Sequence, residues 1–251
     1  MIILKMKIPK KITPSPINEV AIEIRFEPNL PSDAVFGVLY EKLKNEYSKI
    51  ENLPILQLPE VVRGADPNLK YKPHYRLLKD NFAFHVGPHL IALNYSVKEG
   101  KEYIGWTAFY TEMCKILDNI SGLSVFKKVD RLAVRYINFF DSHDIFKKVN
   151  FEIKVPFSHP QKNTFLGTEL QIDKFLSRLQ IADDVSVTRN NQTKKGSIID
   201  IDVFVENLGT VQISDLKSKI GEAHICAEEI FFKTLSQSFL KSLKPEYNEK
   251  K

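Results

Sequence analysis

The sequence contains few cysteines, and none of them forms a pattern that would hold a metal ion. Cys114 and Cys226 are the two cysteines among 251 residues, and neither belongs to a Cys-x-x-Cys pair or a His/Cys cluster. Each lies within an amphipathic helical pattern. We therefore expect two core thiols in a reducing cytosol, rather than a disulfide framework or a structural zinc site.

Long apolar runs and glycine-rich phosphate loops are also missing. No apolar run reaches the roughly 18 residues of a membrane span, so we expect no membrane association. The start, MIILKMKIPKK, does not read as a signal peptide, because its basic residues follow the apolar ones and no cleavage site is present. The ten glycines form no P-loop, Rossmann fingerprint or G-x-S-x-G motif. The sequence therefore predicts no cofactor.

The composition that remains is typical of a folded protein with a sizeable core. Apolar residues make up 43% of the chain, and 17 of its residues are phenylalanine. The net charge is +5, with acids and bases mixed along the chain. A dedicated nucleic-acid binder usually gathers its excess of bases into one patch, and this mild, dispersed excess does not favour that class.

Apolar periodicity divides the chain into strands and helices. Alternation predicts strands at NEVAIEIRFE (18–27) and VDRLAVRYINFF (129–140), and Asp80-Asn81 predicts a hairpin turn between two further strands. The stretch 51–72 reads as a loop with a short strand at ILQL (55–58), and Ser32 reads as a helix N-cap. Four-residue spacing predicts helices near 30–47, 102–120 and 214–243.

A weak internal repeat relates the two halves of the chain. EVAIEIRF (19–26) aligns with RLAVRYIN (131–138) at a shift of 112 residues, and MCKIL (113–117) aligns with FFKTL (231–235) at a shift of 118. We therefore predict an α+β protein with two related halves, 1–122 and 123–251, each a mostly antiparallel sheet backed by helices. The alternative is that both halves form one compact pseudo-symmetric domain.

The strand at 129–140 carries two arginines, Arg131 and Arg135, among buried-type neighbours. In the repeat alignment Glu19 falls on Arg131 and Glu23 falls on Arg135, and Arg25 follows in the same charged set. We predict that these acids hold the arginines in structural ion pairs. The alternative is that the arginines line a polar sheet face and bind a phosphate or carboxylate, which the planar guanidinium group suits.

Two other groups of charged residues are weaker candidates. Asp200 and Asp202 lie two apart on one strand and could bind Mg²⁺, but we expect an exposed strand face, because the alternate residues are apolar. Arg189, Lys194 and Lys195 lie at a predicted hairpin tip and could contact nucleic-acid phosphates. We expect a solvated loop at this tip, because it lacks the aromatic residues that stack on bases.

Four stretches of the sequence resemble motifs of one prokaryotic family. The amino-terminal motif of this family, PP-x-x-E-x-x-x-E-x-R-F, is similar to TPSPINEVAIEIRF, and its central motif, Y-x-G-W-x-x-F, is similar to YIGWTAFYTEMCKIL. Its strand motif, R-x-G-L-R-Y-I-N, is similar to RLAVRYINFFD. Its closing helix, H-x-x-x-x-x-x-F, is similar to EAHICAEEIFFKTLSQSFL. The family is sporadically distributed, has about this length and has no characterised function. Ala133 and Pro16 depart from its usual glycine and its paired prolines.

The expected function follows from the missing catalytic motifs and from this resemblance. The family's patchy distribution is what one expects of mobile-element or defence genes, which is an association and not chemistry. We expect a non-enzymatic protein-interaction component, antitoxin-like or defence-accessory in a prokaryotic conflict system, with a protein partner and possible homo-oligomerisation. The alternatives are binding or hydrolysis of a phosphate-rich ligand such as a nucleotide or polyphosphate, and nucleic-acid binding by the basic hairpin tip.

Overall fold

The computed structural model describes residues 7–98, 100–142, 144–153, 163–189 and 192–247. Across these ranges the chain forms nine strands and five α-helices. The strands are β1 (Ile17–Pro28), β2 (Lys49–Asn52), β3 (Tyr75–Lys79), β4 (Phe82–Gly87), β5 (Leu90–Ser96), β6 (Phe126–Phe140), β7 (Phe165–Ile172), β8 (Phe175–Arg189) and β9 (Gln192–Gly209). The helices are α1 (Ala34–Leu43), α2 (Glu60–Ala65), α3 (Trp106–Ile120), α4 (Ile213–Thr234) and α5 (Gln237–Ser242).

The nine strands form one antiparallel sheet, in the order β2-β3-β4-β5-β1-β6-β9-β8-β7. The predicted hairpin at Asp80-Asn81 is confirmed, because β3 and β4 pair through Lys79 and Phe82 and Asp80 takes a φ of 53°. Asp173 occupies the same left-handed region between β7 and β8, and short polar side chains tolerate this region. The predicted α+β class with a mostly antiparallel sheet is therefore confirmed.

The sheet and its helices bury the apolar faces that the sequence periodicity indicated. In β1 the alternate residues Val20, Ile22, Ile24 and Phe26 are fully buried. The apolar stripe of α3, which includes Phe109 and Met113, is buried as well. Each of these side chains contributes roughly 1.5–3 kcal/mol by leaving water, so the core depends on both elements.

The described residues group into two compact units. One unit contains Glu19–Val134 and Phe204–Ala223, and therefore α1 to α3 and β2 to β5. The other contains the described residues of Met1–Asn18, Arg135–Val203 and His224–Lys251, and therefore β7, β8 and α5. These units are drawn from several chain segments each, and the division at 122 and 123 stays a prediction.

Three local predictions are wrong. Ser32 does not cap α1, because Asp33 occupies the N-cap position and makes no side-chain capping bond. ILQL is not a strand, because Pro54–Gln57 forms a 3₁₀ turn and the short strand is β2, which pairs with β3. The closing helix is divided into α4 and α5, and the Ser236 hydroxyl caps α5 by accepting from the Phe239 amide.

The helices of the described ranges differ from a membrane span in length or in charge content. The longest, α4, has 22 residues, but it mixes charged and apolar side chains along its length. No helix in these ranges is long and apolar enough to cross a membrane.

Candidate functional site

Glu23 binds two of the arginines that the sequence singled out. Its Oε1 atom accepts from Arg131 Nη1 at 2.7 Å and from Arg25 Nε at 2.7 Å. The Arg131 guanidinium carbon also lies 4.3 Å from the centre of the Phe204 ring, and Arg131 is only 8% exposed. The charge of this buried arginine is therefore balanced by a carboxylate from within the same unit of the protein.

Arg135 is bound by Asp200, a partner that the repeat alignment did not indicate. Arg135 Nε donates to Asp200 Oδ1 at 2.9 Å, and Arg135 Nη2 donates to Oδ2, so the pair is bidentate. The Glu19 carboxylate instead accepts a hydrogen bond from the side-chain amide of Asn94, at 3.0 Å. The predicted exposed face at Asp200 is wrong, since Asp200 is only 7% exposed and β9 is an internal strand of the sheet with Ile199 and Ile201 also buried.

Tyr136 and His224, which belong to separate motifs of the resemblance, meet in the structure. The Tyr136 hydroxyl lies 2.9 Å from His224 Nδ1, and Glu228 Oε2 lies 4.0 Å from His224 Nε2. Burial lowers the pKa of His224 to about 4, and burial raises the pKa of Glu228. At neutral pH the imidazole is therefore uncharged, and its contacts are those of a packed, hydrogen-bonded residue.

A polar groove of about 420 Å³ is lined by Arg25, Tyr71, Lys128 and Asp130, among others. Burial opposes the charge on Asp130, but hydrogen bonds from Lys128 and Tyr71 lower the pKa of this carboxyl. The Arg25 guanidinium lies 5.1 Å from the centre of the Tyr71 ring. The bases of this groove thus already have internal partners, and an anionic ligand would have to compete with them.

A second and larger cavity, which we call the Arg63 cavity, has a volume of about 620 Å³. Its wall includes Phe36, Arg63, Lys70, His74, Tyr75 and His89. The rings of Phe36 and Tyr75, which both line the cavity, stack with their centres 3.7 Å apart and their planes at 18°. The volume lies in the range of ligand sites in proteins.

Among the arginines whose side chains the structure describes, Arg63 is the one that no carboxylate holds. Its Nε atom is buried and has no hydrogen-bond partner, and within the described ranges the guanidinium makes no ion pair. Burial and the charge of Arg63 lower the pKa of His74, and burial lowers the pKa of His89. Both imidazoles are therefore neutral at pH 7, and the positive charge at this side of the cavity belongs to Arg63.

Helix α2, which carries Arg63, also presents apolar side chains to solvent. Val61 is 83% exposed, Val62 is 46% exposed and Leu58, which precedes the helix, is 40% exposed. We call these three residues the α2 surface. Exposed apolar residues that cluster beside polar ones are typical of sites that bind another molecule.

The remaining sequence-predicted residues do not join this site. Lys194 and Lys195 are exposed on β9, and the side chain of Arg189 lies outside the part of the structure that is described. Asp202 is half-buried on β9. No group of three or more His, Cys, Asp and Glu side chains in the described ranges is arranged to hold a metal ion. The basic hairpin tip as a nucleic-acid contact stays a prediction.

Sequence reasoning missed the Arg63 cavity. The stretch 51–72 was interpreted as loop because of its prolines and polar residues, and α2 has only six residues, too few for helical periodicity to appear. One signal was present, because Val61-Val62-Arg63 places two β-branched residues beside a base in an otherwise polar stretch. The isolated charge of Arg63 could be seen only once its neighbours were placed.

Comparison with known proteins does not add to this picture. No protein-family model matches the chain, and no curated protein is significantly similar to it. The resemblance carried by the Arg-Tyr-Ile-Asn strand therefore stays a prediction.

Proposed function

We propose that the protein is a non-enzymatic interaction component that binds a segment of another protein at the Arg63 cavity and the α2 surface. The observation that carries the proposal is the exposure of Val61, Val62 and Leu58 beside a cavity of about 620 Å³ with a stacked aromatic wall. Burying a largely exposed valine contributes roughly 1.5 kcal/mol. A partner that covered the α2 surface would gain this contribution more than once.

The alternative of a phosphate-rich ligand at Arg131 and Arg135 has less support. Glu23 and Asp200 already bind these guanidinium groups. The side chain of Arg135 is 48% exposed, so water screens its pair with Asp200 and that pair is worth less. Arg131 is buried, and separating a buried ion pair costs about 3–5 kcal/mol. A phosphate at this sheet face would have to offset that cost before it bound at all.

A binding experiment with matched variants tests the proposal. The product of the neighbouring gene is purified, and its affinity for the protein is measured by calorimetry for the wild type and for a Val61→Ser, Val62→Ser double variant. We expect at least tenfold weaker binding by the double variant, with an unchanged unfolding temperature, since both side chains are exposed. Ile225→Ser on α4 is the control, because Ile225 is 55% exposed but lies elsewhere in the chain.

Equal affinities for the wild type and the double variant would place the contact elsewhere and contradict the proposal. A complete lack of binding would contradict the choice of partner and the interaction role together. A loss that appeared equally in the Ile225→Ser control would show a general effect of surface polarity rather than a site on α2.

We further propose a narrower role, antitoxin-like or defence-accessory in a prokaryotic conflict system. Its support is the family resemblance, whose members are sporadically distributed. If the role is antitoxin-like, the neighbouring product should slow growth when expressed alone, and co-expression of this protein should restore it. Restoration by the Val61→Ser, Val62→Ser variant as well would separate the protective role from the α2 surface.

We also propose that 1–122 and 123–251 are two related halves. Each half begins with a long strand, β1 or β6, and these two strands are neighbours near the middle of the sheet order. Each half places the strand before its long helix, β5 before α3 and β9 before α4, next to that first strand. This shared order supports a duplication, in agreement with the repeat in the sequence.

A further inference from the structure

We infer that the Arg63 cavity binds the carboxyl-terminal end of a partner chain, with the terminal carboxylate on Arg63 and an apolar last side chain against Phe36 and Tyr75. This inference rests on the proposed interaction function and names the chemistry of the segment that is bound. It concerns a side chain that the predicted ion pairs do not involve. The reasons are the isolated charge of Arg63, the shape of the apolar wall and the balance of charge around the cavity.

The first reason is the state of Arg63. A guanidinium with a buried Nε and no acceptor is an unsatisfied donor, and a carboxylate can accept from two of its N–H groups at once. His74 and His89 line the same cavity and stay uncharged at neutral pH, because burial lowers the pKa of each. A carboxylate that entered would therefore find Arg63 with no internal carboxylate already bound to it, whereas Lys70, the other cation of the wall, lies 4.0 Å from Asp130.

The second reason is the apolar wall. The stacked rings of Phe36 and Tyr75 offer a flat surface to an aromatic or branched side chain. A chain terminus carries its carboxylate and its last side chain on the same Cα atom, so both groups fit one cavity of about 620 Å³. A small number of placed polar groups in a mainly apolar wall is the usual form of a ligand site.

The third reason is the charge balance, which argues against polyanions. Arg63 and Lys70 supply two positive charges to the cavity wall, while Asp33, Glu60 and Asp66 supply three negative ones. The wall is therefore negative by one charge when the histidines are neutral. A nucleotide or polyphosphate carries more negative charge than Arg63 can neutralise and would be repelled by these carboxylates, whereas Arg63 matches the single charge of a terminal carboxylate.

Short synthetic peptides and the full chain test the inference. The probes are acetyl-Ala-Ala-Ala-Leu with a free carboxylate, the same peptide with a carboxyl-terminal amide, acetyl-Ala-Glu-Ala-Leu amide, and inorganic phosphate. Affinity is measured by NMR chemical-shift titration up to about 10 mM, a range that covers weak peptide binding. We expect the free acid to bind at least tenfold more tightly than the amide, and phosphate to bind more weakly than the free acid.

Variants of Arg63 connect this preference to the site. Arg63→Gln should remove the difference between free acid and amide, while Arg63→Lys should retain part of it, because lysine keeps the charge without the planar fork. Arg178→Gln is the matched control, since Arg178 is an exposed arginine that pairs with Glu169 on β7. It should leave the preference unchanged. An unchanged unfolding temperature for Arg63→Gln would confirm that the fold is intact.

Several results would overturn the inference. Equal binding of acid and amide, no binding of the free acid, or an unchanged preference in Arg63→Gln would each show that Arg63 does not receive a terminal carboxylate. Equal binding of the glutamate-containing amide would assign the site to acidic side chains, and tighter binding of phosphate would assign it to phosphate. If the neighbouring product binds Arg63→Gln as well as the wild type but fails to bind the Val61→Ser, Val62→Ser variant, only this inference fails. If it binds both variants like the wild type, the proposed function fails as well.

Discussion

At the scale of single residues, one carboxylate binds two arginine side chains. Glu23 accepts from both Arg131 and Arg25, and Arg131 is almost fully buried. A buried ion pair adds little net stability compared with apolar residues, but the loss of one partner leaves the other uncompensated. Removal of Glu23 should therefore lower the free energy of unfolding more than removal of a carboxylate that binds no buried arginine.

Glu23→Ala should lower the free energy of unfolding by about 3–5 kcal/mol, because it removes a carboxylate that binds the buried Arg131 guanidinium. Urea denaturation measures this change. Glu19→Ala is the matched control and should cost about 1 kcal/mol, because Glu19 accepts one hydrogen bond from the Asn94 amide. Similar losses for the two variants, or a loss below about 1 kcal/mol for Glu23→Ala, would contradict a structural role for this pair.

His224 should make the stability depend on pH. Its pKa in the folded protein is about 4, below the unfolded value of 6.5, because burial disfavours the charged imidazole. Its contribution is therefore fully present above pH 6.5 and is lost as the pH falls towards 4, by about 3 kcal/mol in total. The free energies of unfolding of the wild type and of His224→Gln are measured from pH 7.5 to 4. As the pH falls, the wild type should lose more of its free energy of unfolding than the variant.

Glu228 titrates in both proteins of that comparison, so its raised pKa cancels when the two curves are subtracted. Parallel curves for the wild type and His224→Gln over this interval would show that the imidazole is not buried as an uncharged group.

The sequence predicted that Glu19 and Glu23 hold Arg131 and Arg135. Glu23 does bind Arg131, but Arg135 binds Asp200 and Glu19 binds the Asn94 side chain. Equivalent positions of a repeat need not touch, because antiparallel neighbours run in opposite directions. β1 and β6 are antiparallel, since the amide of Asn29 donates to Val125 and the amide of Phe139 donates to Pro16. Arg131 therefore meets Glu23 rather than its repeat equivalent, Glu19.

At the scale of elements, close packing limits which strand residues can carry a side chain. Gly196 lies in β9 beside the end of β6. A Cβ atom at this position would come within 2.6 Å of the Phe139 ring and even closer to the Phe140 carbonyl oxygen. Backbone atoms cannot move aside without disturbing the sheet, so glycine is required here by the approach of the two strands.

Gly196→Ala should therefore destabilise the protein by about 1–3 kcal/mol, as overpacking does in other cores. Gly37→Ala is the matched control, because Gly37 lies inside α1 and a Cβ there would meet no atom within 4 Å. This control should stabilise the protein by about 0.5–1 kcal/mol through helix propensity. Thermal unfolding of the two variants checks the opposite signs, and a stabilising Gly196→Ala would contradict the packing of these strands.

The elements that the sequence predicted well are those with long, regular patterns. The strand β1 and the helix α3 were found within a few residues of their observed bounds, because alternation in the first and a four-residue stripe in the second persist over ten residues or more. The elements of the segment 51–72 could not be predicted from the sequence, because a 3₁₀ turn, a six-residue helix and a four-residue strand are each too short for periodicity to show.

At the scale of the whole molecule, the proposed duplication makes a prediction about chain order. The two ends of the described chain meet, because the Lys10 amide donates to the Glu246 carbonyl at 2.7 Å and Lys11 bridges to the same residue. A circular permutant that joins the ends by a short Gly/Ser linker and opens the chain between Gly122 and Leu123 should fold cooperatively. Circular dichroism and thermal unfolding measure this result.

A permutant opened between Ala133 and Val134, inside β6, is the matched control and should fail to fold, because it cuts a strand from the middle of the sheet. If the permutant opened between Gly122 and Leu123 also failed to fold, the boundary at 122 and 123 would not separate two structural halves. The global order of strands could not be read from the sequence, since hydrophobic patterns define strands but not their neighbours.

We propose that this protein acts by binding a partner at the Arg63 cavity and the α2 surface. Hydrogen–deuterium exchange of the full chain, measured with and without the product of the neighbouring gene, tests it most directly. We expect slower exchange in residues 58–65 and in β3 near Tyr75, with little change in β8 and β9. Protection confined to β8 and β9, with 58–65 unchanged, would contradict it.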